Sequence, residues 1–287
     1  MQFFSTCLAL IGAFLLATQA KAQSPISAGN DAAKRGNYAD AAVLYSQACV
    51  NGEAEGCSNL GTLYNEGLGV NKDATRASAL YQQACAAGMA GSCNDLGSNY
   101  EDGQGVAKDN VRAAALYQQA CSGGFLGGCG NLGVLYSHGQ GVAKDEVRAA
   151  RLFEQACAGG VPVSCHSLGV RYAYGRGVAK DEVRAAELYS QACTGGYMDG
   201  CNNLGMFYEL GRGVTKDYAQ SAELYLLACN GGDPQGCSNL GSFYDAGRGV
   251  SKDRRRAIKL YRQALTLILP PELAEKVRVR MNYLIEN

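Results

Sequence analysis

A Cys-x7-Cys pair recurs six times at intervals of 36 residues with no insertion or deletion: Cys49/Cys57, Cys85/Cys93, Cys121/Cys129, Cys157/Cys165, Cys193/Cys201 and Cys229/Cys237. A Leu-Gly dipeptide keeps the same register at Leu60, Leu96, Leu132, Leu168, Leu204 and Leu240, and a tyrosine follows each, from Tyr64 to Tyr244. Self-similarity this strict predicts units that stack on their neighbours, not a single globular core. It also shifts the expected function from catalysis toward binding.

Within one unit, residues 53–88, Cys57, Leu60, Gly61 and Tyr64 fall at steps of three and four, which places them on one helical face. A mid-helix glycine costs about 1 kcal/mol against alanine. Its return in every unit therefore predicts a packing role, with a neighbouring helix close by. The segment Gly67-Leu68-Gly69-Val70-Asn71-Lys72-Asp73 follows, and Gly-x-Gly-Val-x-Lys-Asp returns in each unit. The glycines are expected to end the first helix, Val70 to turn inward and Asp73 to N-cap a second helix. Phosphate binding at this turn is disfavoured, because an aspartate at the cap repels an anion and no Gly-Lys-Ser/Thr is present. A calcium loop lacks its ladder of acidic ligands. The second helix, over 74–86, is expected to bury Ala77, Leu80, Tyr81 and Ala84, with Gly88 as its stop.

The ends of the array differ from its middle. Residues 28–35 read as a short lead-in helix and 37–50 as an orphan second helix. The last second helix carries Leu265 where a cysteine would fall; Pro270-Pro271 stops it, and 272–286 reads as a charged capping helix. The expected organisation is a signal peptide over 1–22, a partial repeat over 23–52, six repeats over 53–268 and a capping helix over 269–287. These ends also choose the disulfide pairing. Bridges within a hairpin, such as Cys57 to Cys85, would strand Cys49 and Cys237, whereas bridges across the short loop strand none. Each closed loop of nine residues is worth about 2.5 kcal/mol on the loop-entropy model.

An apolar run over 8–17 precedes Ala20-Lys21-Ala22, the pattern of a cleaved secretory leader. The run is about half of the roughly 20 residues that a spanning helix needs, so no stable membrane insertion is expected. Removal after Ala22 would take Cys7 and leave twelve of the 13 cysteines, an even set suited to disulfides in an oxidising compartment. The expected location is secreted or periplasmic. Zinc would need closely spaced cysteines or histidine partners, and the chain has only His138 and His166. No metal or cofactor is implied. The 26 basic and 26 acidic residues form no basic stripe, which argues against nucleic acid.

Leu-Gly-x2-Tyr-x2-Gly-x-Gly-Val-x-Lys-Asp, followed by Ala-x2-Leu-Tyr-x2-Ala, resembles the Sel1-like repeat, a relative of the tetratricopeptide repeat. With its Cys-x7-Cys pairs the chain resembles the secreted Helicobacter cysteine-rich proteins over roughly residues 37–268. The resemblance implies an all-α, right-handed α/α solenoid with one disulfide per repeat and first helices lining a concave face. It implies a monomeric scaffold for a protein or peptide partner. The alternative it carries is a β-lactam-binding protein or slow β-lactamase, with a β-lactam or peptidoglycan-like ligand. This chain is neutral and glycine-rich where those relatives are strongly basic.

In tetratricopeptide relatives, the residue before Leu-Gly often bonds a peptide backbone. The matching positions are Asn59, Asp95, Asn131, Ser167, Asn203 and Asn239. A carboxamide offers both donor and acceptor to an extended peptide. Bracing between neighbouring units explains the same recurrence equally well. Other first-helix positions vary, and the middle units carry the distinctive side chains His138, His166, Arg171, Tyr174 and Met206. The candidate partner-binding set is Asn59, Asn131, Asn203, Asn239, His166, Arg171 and Met206. As for chemistry, no serine is followed by lysine three residues on, which a serine β-lactamase needs. His166 and Ser167 are sequence neighbours that diverge on a helix. No catalytic residue is assigned.

Overall fold

The computed structural model describes residues 23–286, so the leader expected over 1–22 lies outside the described residues. Among the described residues all regular structure is helical. The chain forms two compact units, one of residues 23–89 with 104–106 and the other of 90–103 with 107–286.

The first unit holds α1 (Pro25–Lys34), α2 (Tyr38–Val50), α3 (Ala54–Glu66) and α4 (Ala74–Ala86). Helix α1 begins three residues before the expected position. Ser24 accepts from the Ser27 amide as N-cap and Pro25 sits at the first helical position, where its missing N–H costs nothing. The α1/α2 pair already packs as a hairpin, since Tyr45 lies against Gly29 as Tyr81 lies against Gly61.

The second unit holds five hairpins: α5 (Ala90–Asp102) with α6 (Asn110–Ser122), α7 (Leu126–His138) with α8 (Glu146–Ala158), α9 (Pro162–Tyr174) with α10 (Glu182–Thr194), α11 (Met198–Leu210) with α12 (Tyr218–Asn230), and α13 (Pro234–Ala246) with α14 (Arg254–Thr266). Helix α15 (Pro271–Glu286) closes this unit, packing Val277 and Leu284 against α14 and bonding Arg280 to the buried Asp245.

The recurring residues explain the hairpin. First helices end in glycine in the left-handed conformation, as at Gly211 (φ 67°), and the Arg212 amide reaches back to Phe207 O at 3.0 Å. The turn closes when the Asp217 amide donates to Tyr208 O at 3.0 Å, and the Asp217 carboxylate then accepts from the Ala219 and Gln220 amides. The expected caps from Asp73 to Asp253 all form. The second glycine of the turn docks on the preceding hairpin: a Cβ on Gly213 (φ +65°) would lie 2.1 Å from Glu182 O. Only glycine permits that approach of backbone to backbone.

The packing role of the Leu-Gly glycine resolves into a ring contact. Tyr225 of α12 lies over Gly205 of α11, where a Cβ would meet its Cε1 at 2.8 Å. The hydroxyl donates to Glu209 Oε2 at 2.8 Å, and burial pushes the phenol well above its ordinary value. Five disulfides join cysteines eight positions apart, as expected: Cys49–Cys57, Cys121–Cys129, Cys157–Cys165, Cys193–Cys201 and Cys229–Cys237. Cys85 and Cys93 are also disulfide-bonded.

Candidate functional site

In the second unit the first helices neighbour one another, α5 against α7, α9 against α11 and α11 against α13. Within each unit, a glycine before the second cysteine, at Gly56, Gly128, Gly200 and Gly236, brings a first helix close to the second helix that precedes it. A Cβ on Gly128, for example, would lie 2.6 Å from that of Ala120. This arrangement lines up the side chains that precede each Leu-Gly pair.

Those side chains form bonds between repeats. Asn131 Nδ2 donates to Asn94 Oδ1 at 2.8 Å, and Asn239 Nδ2 to Asn202 Oδ1 at 2.8 Å. Asn203 Nδ2 donates to His166 Nε2 at 2.8 Å. In the first unit, Asn59 Nδ2 reaches Asn30 Oδ1 at 3.4 Å. Each bond uses one amide hydrogen of the candidate asparagine, whose side chain is half-buried. Met206 is half-buried and packs on the apolar cluster around Tyr225.

His166 sits against the rings of Tyr189 and Tyr197, with centroids 5.6 and 5.1 Å away. Burial pushes its imidazole below the ordinary value, so the ring is neutral near pH 7. Acceptance from Asn203 at Nε2 places its proton on Nδ1. Ser167 bonds elsewhere, donating to Val163 O at 2.9 Å. The two sequence neighbours therefore do not pair with each other.

The amide row is interrupted between α7 and α9. Gly130 offers no side-chain acceptor, and Ser167 turns back on its own helix. A cleft of about 320 Å³ opens there, lined among others by His138, Lys144, Glu146, His166, Arg171 and Arg176. Thus the structure brings together His138, His166 and Arg171, three of the distinctive side chains of the middle units. Asn203 touches this group through His166, whereas Asn59, Asn131, Asn239 and Met206 lie outside the cleft lining.

Arg171 is the unusual member. It is only 8 % exposed; of its register partners, Leu63, Leu135, Phe207 and Phe243 are core hydrophobes and Asn99 is a buried amide, so Arg171 is the one charged member of the series. Its guanidinium lies over the Phe153 ring, 5.2 Å from the centroid, and Nη1 meets Glu146 Oε2 at 2.6 Å. Burial, the largest effect, lowers its pKa from the ordinary value; Glu146 opposes this and the nearby Arg176 adds to it. Lys144 also pairs with Glu146, at 3.2 Å. Sequence reasoning missed Lys144, Glu146 and Arg176. Lys144 belongs to the constant Lys-Asp of the turn and so reads as structural. The signal for Arg171 was available in the register itself, as the one charge at a position where the other units carry leucine, phenylalanine or, at Asn99, a neutral amide.

The family model described as the Sel1 repeat matches residues 54–89, 90–125, 128–161, 162–197, 199–233 and 234–267. The chain belongs to the Sel1-repeat family. Among solved structures, it is similar to a Sel1 repeat protein from Oxalobacter formigenes, 24 % identical over 84 % of this chain and 96 % of that one, with a TM-score of 0.77. It is also similar to a protective antigen of uropathogenic Escherichia coli strains displaying the same repeat fold, 28 % identical over 84 % of this chain, with a TM-score of 0.73. The present chain spans about half of that antigen, 52 % of its length. A further match is the Helicobacter pylori cysteine rich protein B, 31 % identical over 48 % of this chain and 93 % of that one, with a TM-score of 0.36. No match emerged from comparison with curated proteins.

Sel1 repeats are protein-interaction modules. Disulfides in every repeat suit an extracytoplasmic, oxidising compartment. No helix of the described residues is long and apolar enough to cross a membrane.

Proposed function

We propose that this Sel1-repeat protein is a monomeric binding scaffold, secreted or periplasmic after loss of residues 1–22. It takes an extended peptide of a protein partner along its first helices, on the concave side. The observation that carries this reading is the row of half-buried carboxamides at Asn131, Asn203 and Asn239, each bonded to the repeat before it. Each bond between repeats leaves part of a carboxamide's hydrogen-bonding capacity for a ligand. Donors and acceptors repeated along a row match the alternating N–H and C=O groups of an extended chain without reading its sequence. Asn59, His166, Arg171 and Met206 would set preference at particular repeats.

The test separates ligand binding from bracing. Peptides enriched from a random library on the immobilised, oxidised protein supply the probe. Asn131→Ala should weaken their binding by about 2- to 12-fold, the equivalent of one hydrogen bond. Asn94→Ala removes the same bond between repeats and serves as the control. Equal effects of the two variants on melting temperature, with a larger effect of Asn131→Ala on binding, support the reading. Equal effects on both measures would make the asparagine row a structural brace. Failure to enrich any peptide would refute the proposal.

A further inference from the structure

The repeat array provides its own controls, and the cleft between α7 and α9 departs from them in three independent ways. The first is the gap in the amide row at Gly130 and Ser167, which opens the cleft. The second is Arg171. A guanidinium at a core position sacrifices apolar burial and incurs desolvation, and its Nε is buried with no hydrogen-bond partner among the described residues. An unmet buried donor is costly, and more so when it is charged. A leucine or phenylalanine, as in Leu135 and Phe207, would fill the position without that cost.

The third departure is charge. In the next repeats the turn arginine has a carboxylate partner: Arg212 pairs with Glu182 at 2.9 Å and Arg248 with Glu209 at 3.2 Å. Arg176 is their register counterpart, but Glu146 is already shared by Lys144 and Arg171. Arg176 is left stacked over the Tyr174 ring at 5.4 Å, close enough to Arg171 for the two to repel. With His166 neutral, three cations face one carboxylate at the cleft.

We propose that this cleft is a carboxylate-recognition site for the partner peptide, with Arg171 as the receiving guanidinium and Arg176 and Lys144 supplying the field. The inference rests on the peptide-binding reading and names what one repeat of the scaffold selects. A carboxylate matches the planar edge of a guanidinium, and a charge-assisted pair of this kind is stronger than a neutral hydrogen bond. Because Nε is shielded from solvent, the arriving group would draw the long Arg171 side chain outward from its seat on Phe153. Lys144 would keep Glu146 neutralised while it does so. The ligand group is an aspartate or glutamate side chain or a chain-terminal carboxylate.

The probes are an acetylated, amidated Gly-Ser-Glu-Ser-Gly peptide, its glutamine counterpart, the glutamine peptide with a free C-terminus, and sodium glutarate. Each is titrated at constant ionic strength into the oxidised protein, and the Arg171 15Nε resonance is followed. Assignment comes from its absence in Arg171→Leu. The glutamate peptide should bind roughly ten- to hundredfold tighter than the glutamine peptide, as a charged hydrogen bond allows. The free-terminus peptide reports whether a terminal carboxylate serves as well. Arg171→Leu should erase the preference while lowering the melting temperature little, since Glu146 keeps Lys144 as its partner and is not left as an unpaired charge.

Equal binding of the glutamate and glutamine peptides would overturn the carboxylate site and leave the scaffold reading standing. A lowered melting temperature in Arg171→Leu with the preference intact would make Arg171 only a structural partner of Glu146. Saturable response to glutarate with no response to any peptide would keep the carboxylate site but refute peptide binding. Silence with every probe would refute both.

Discussion

The contact between Gly205 and Tyr225 gives a substitution whose sign reverses with its surroundings. Ordinarily Gly→Ala inside a helix stabilises by about 1 kcal/mol. Here the new Cβ would lie 2.8 Å from Tyr225 Cε1 and 3.4 Å from Ser221 O. The ring has no free volume to retreat into: Tyr225 is fully buried, packs edge-on to Phe243 with centroids 5.2 Å apart, and is tethered to Glu209. Overpacking a tight core costs about 1–3 kcal/mol, and displacing the ring weakens the hydroxyl bond to a charged acceptor, worth about 1.5–3 kcal/mol intact. The expected net effect of Gly205→Ala is therefore a loss of about 1–2 kcal/mol. In a Tyr225→Ala background the obstacle is gone, and adding Gly205→Ala should recover about 1 kcal/mol by helix propensity alone. Urea titration of the oxidised single and double variants, followed by far-ultraviolet circular dichroism, measures both steps. If Gly205→Ala stabilises the protein with Tyr225 present, or destabilises it equally without the ring, close packing does not explain the glycine.

Two shorter predictions follow from the loops. Non-reducing peptide maps should show only cysteine pairs eight positions apart, and reduction should lower the melting temperature markedly, since each loop contributes about 2.5 kcal/mol; a peptide joining Cys57 to Cys85 would contradict the fold. Asp233 N-caps α13 while buried, and desolvation, the dominant effect, raises its carboxyl above the ordinary value. The folded protein then holds this proton more tightly than the unfolded chain, so stability should fall as pH rises from the ordinary carboxylate range through the raised value. Asp233→Asn keeps a capping side chain and should flatten that part of the melting-temperature profile. An unchanged profile would refute the assignment.

The hairpins were legible because their determinants are local and repeated. A glycine two residues before another, then valine, lysine and aspartate, fixes helix stop, turn and cap within seven residues. The disulfide pairing was legible because the chain ends break the symmetry between two otherwise equivalent schemes. The start of α1 was misplaced because it depends on Ser24 and Pro25, which lie outside the repeat and lack its register. The contact between repeats made by Asn131 could not be read, since its acceptor, Asn94, is 37 positions away and belongs to a series that varies between serine, asparagine, glycine and histidine.

The same variation carries information once the contacts are known. A side chain that recurs at every repeat is accounted for by stacking, which every repeat needs; Tyr225 over Gly205 is of this kind, with equivalents throughout. A charge found at one repeat, at a position that four of the six repeats fill with leucine or phenylalanine, is not. Arg171 adds charge where neighbouring repeats gain apolar burial, and it occupies Glu146, the register counterpart of the Glu182 that Arg212 finds. Stability alone would select against both changes. Their coincidence with the gap at Gly130 and Ser167 is what separates a ligand-reading repeat from a merely variable one. The criterion is the number of independent departures that converge on one cleft, not the chemical distinctiveness of any single residue.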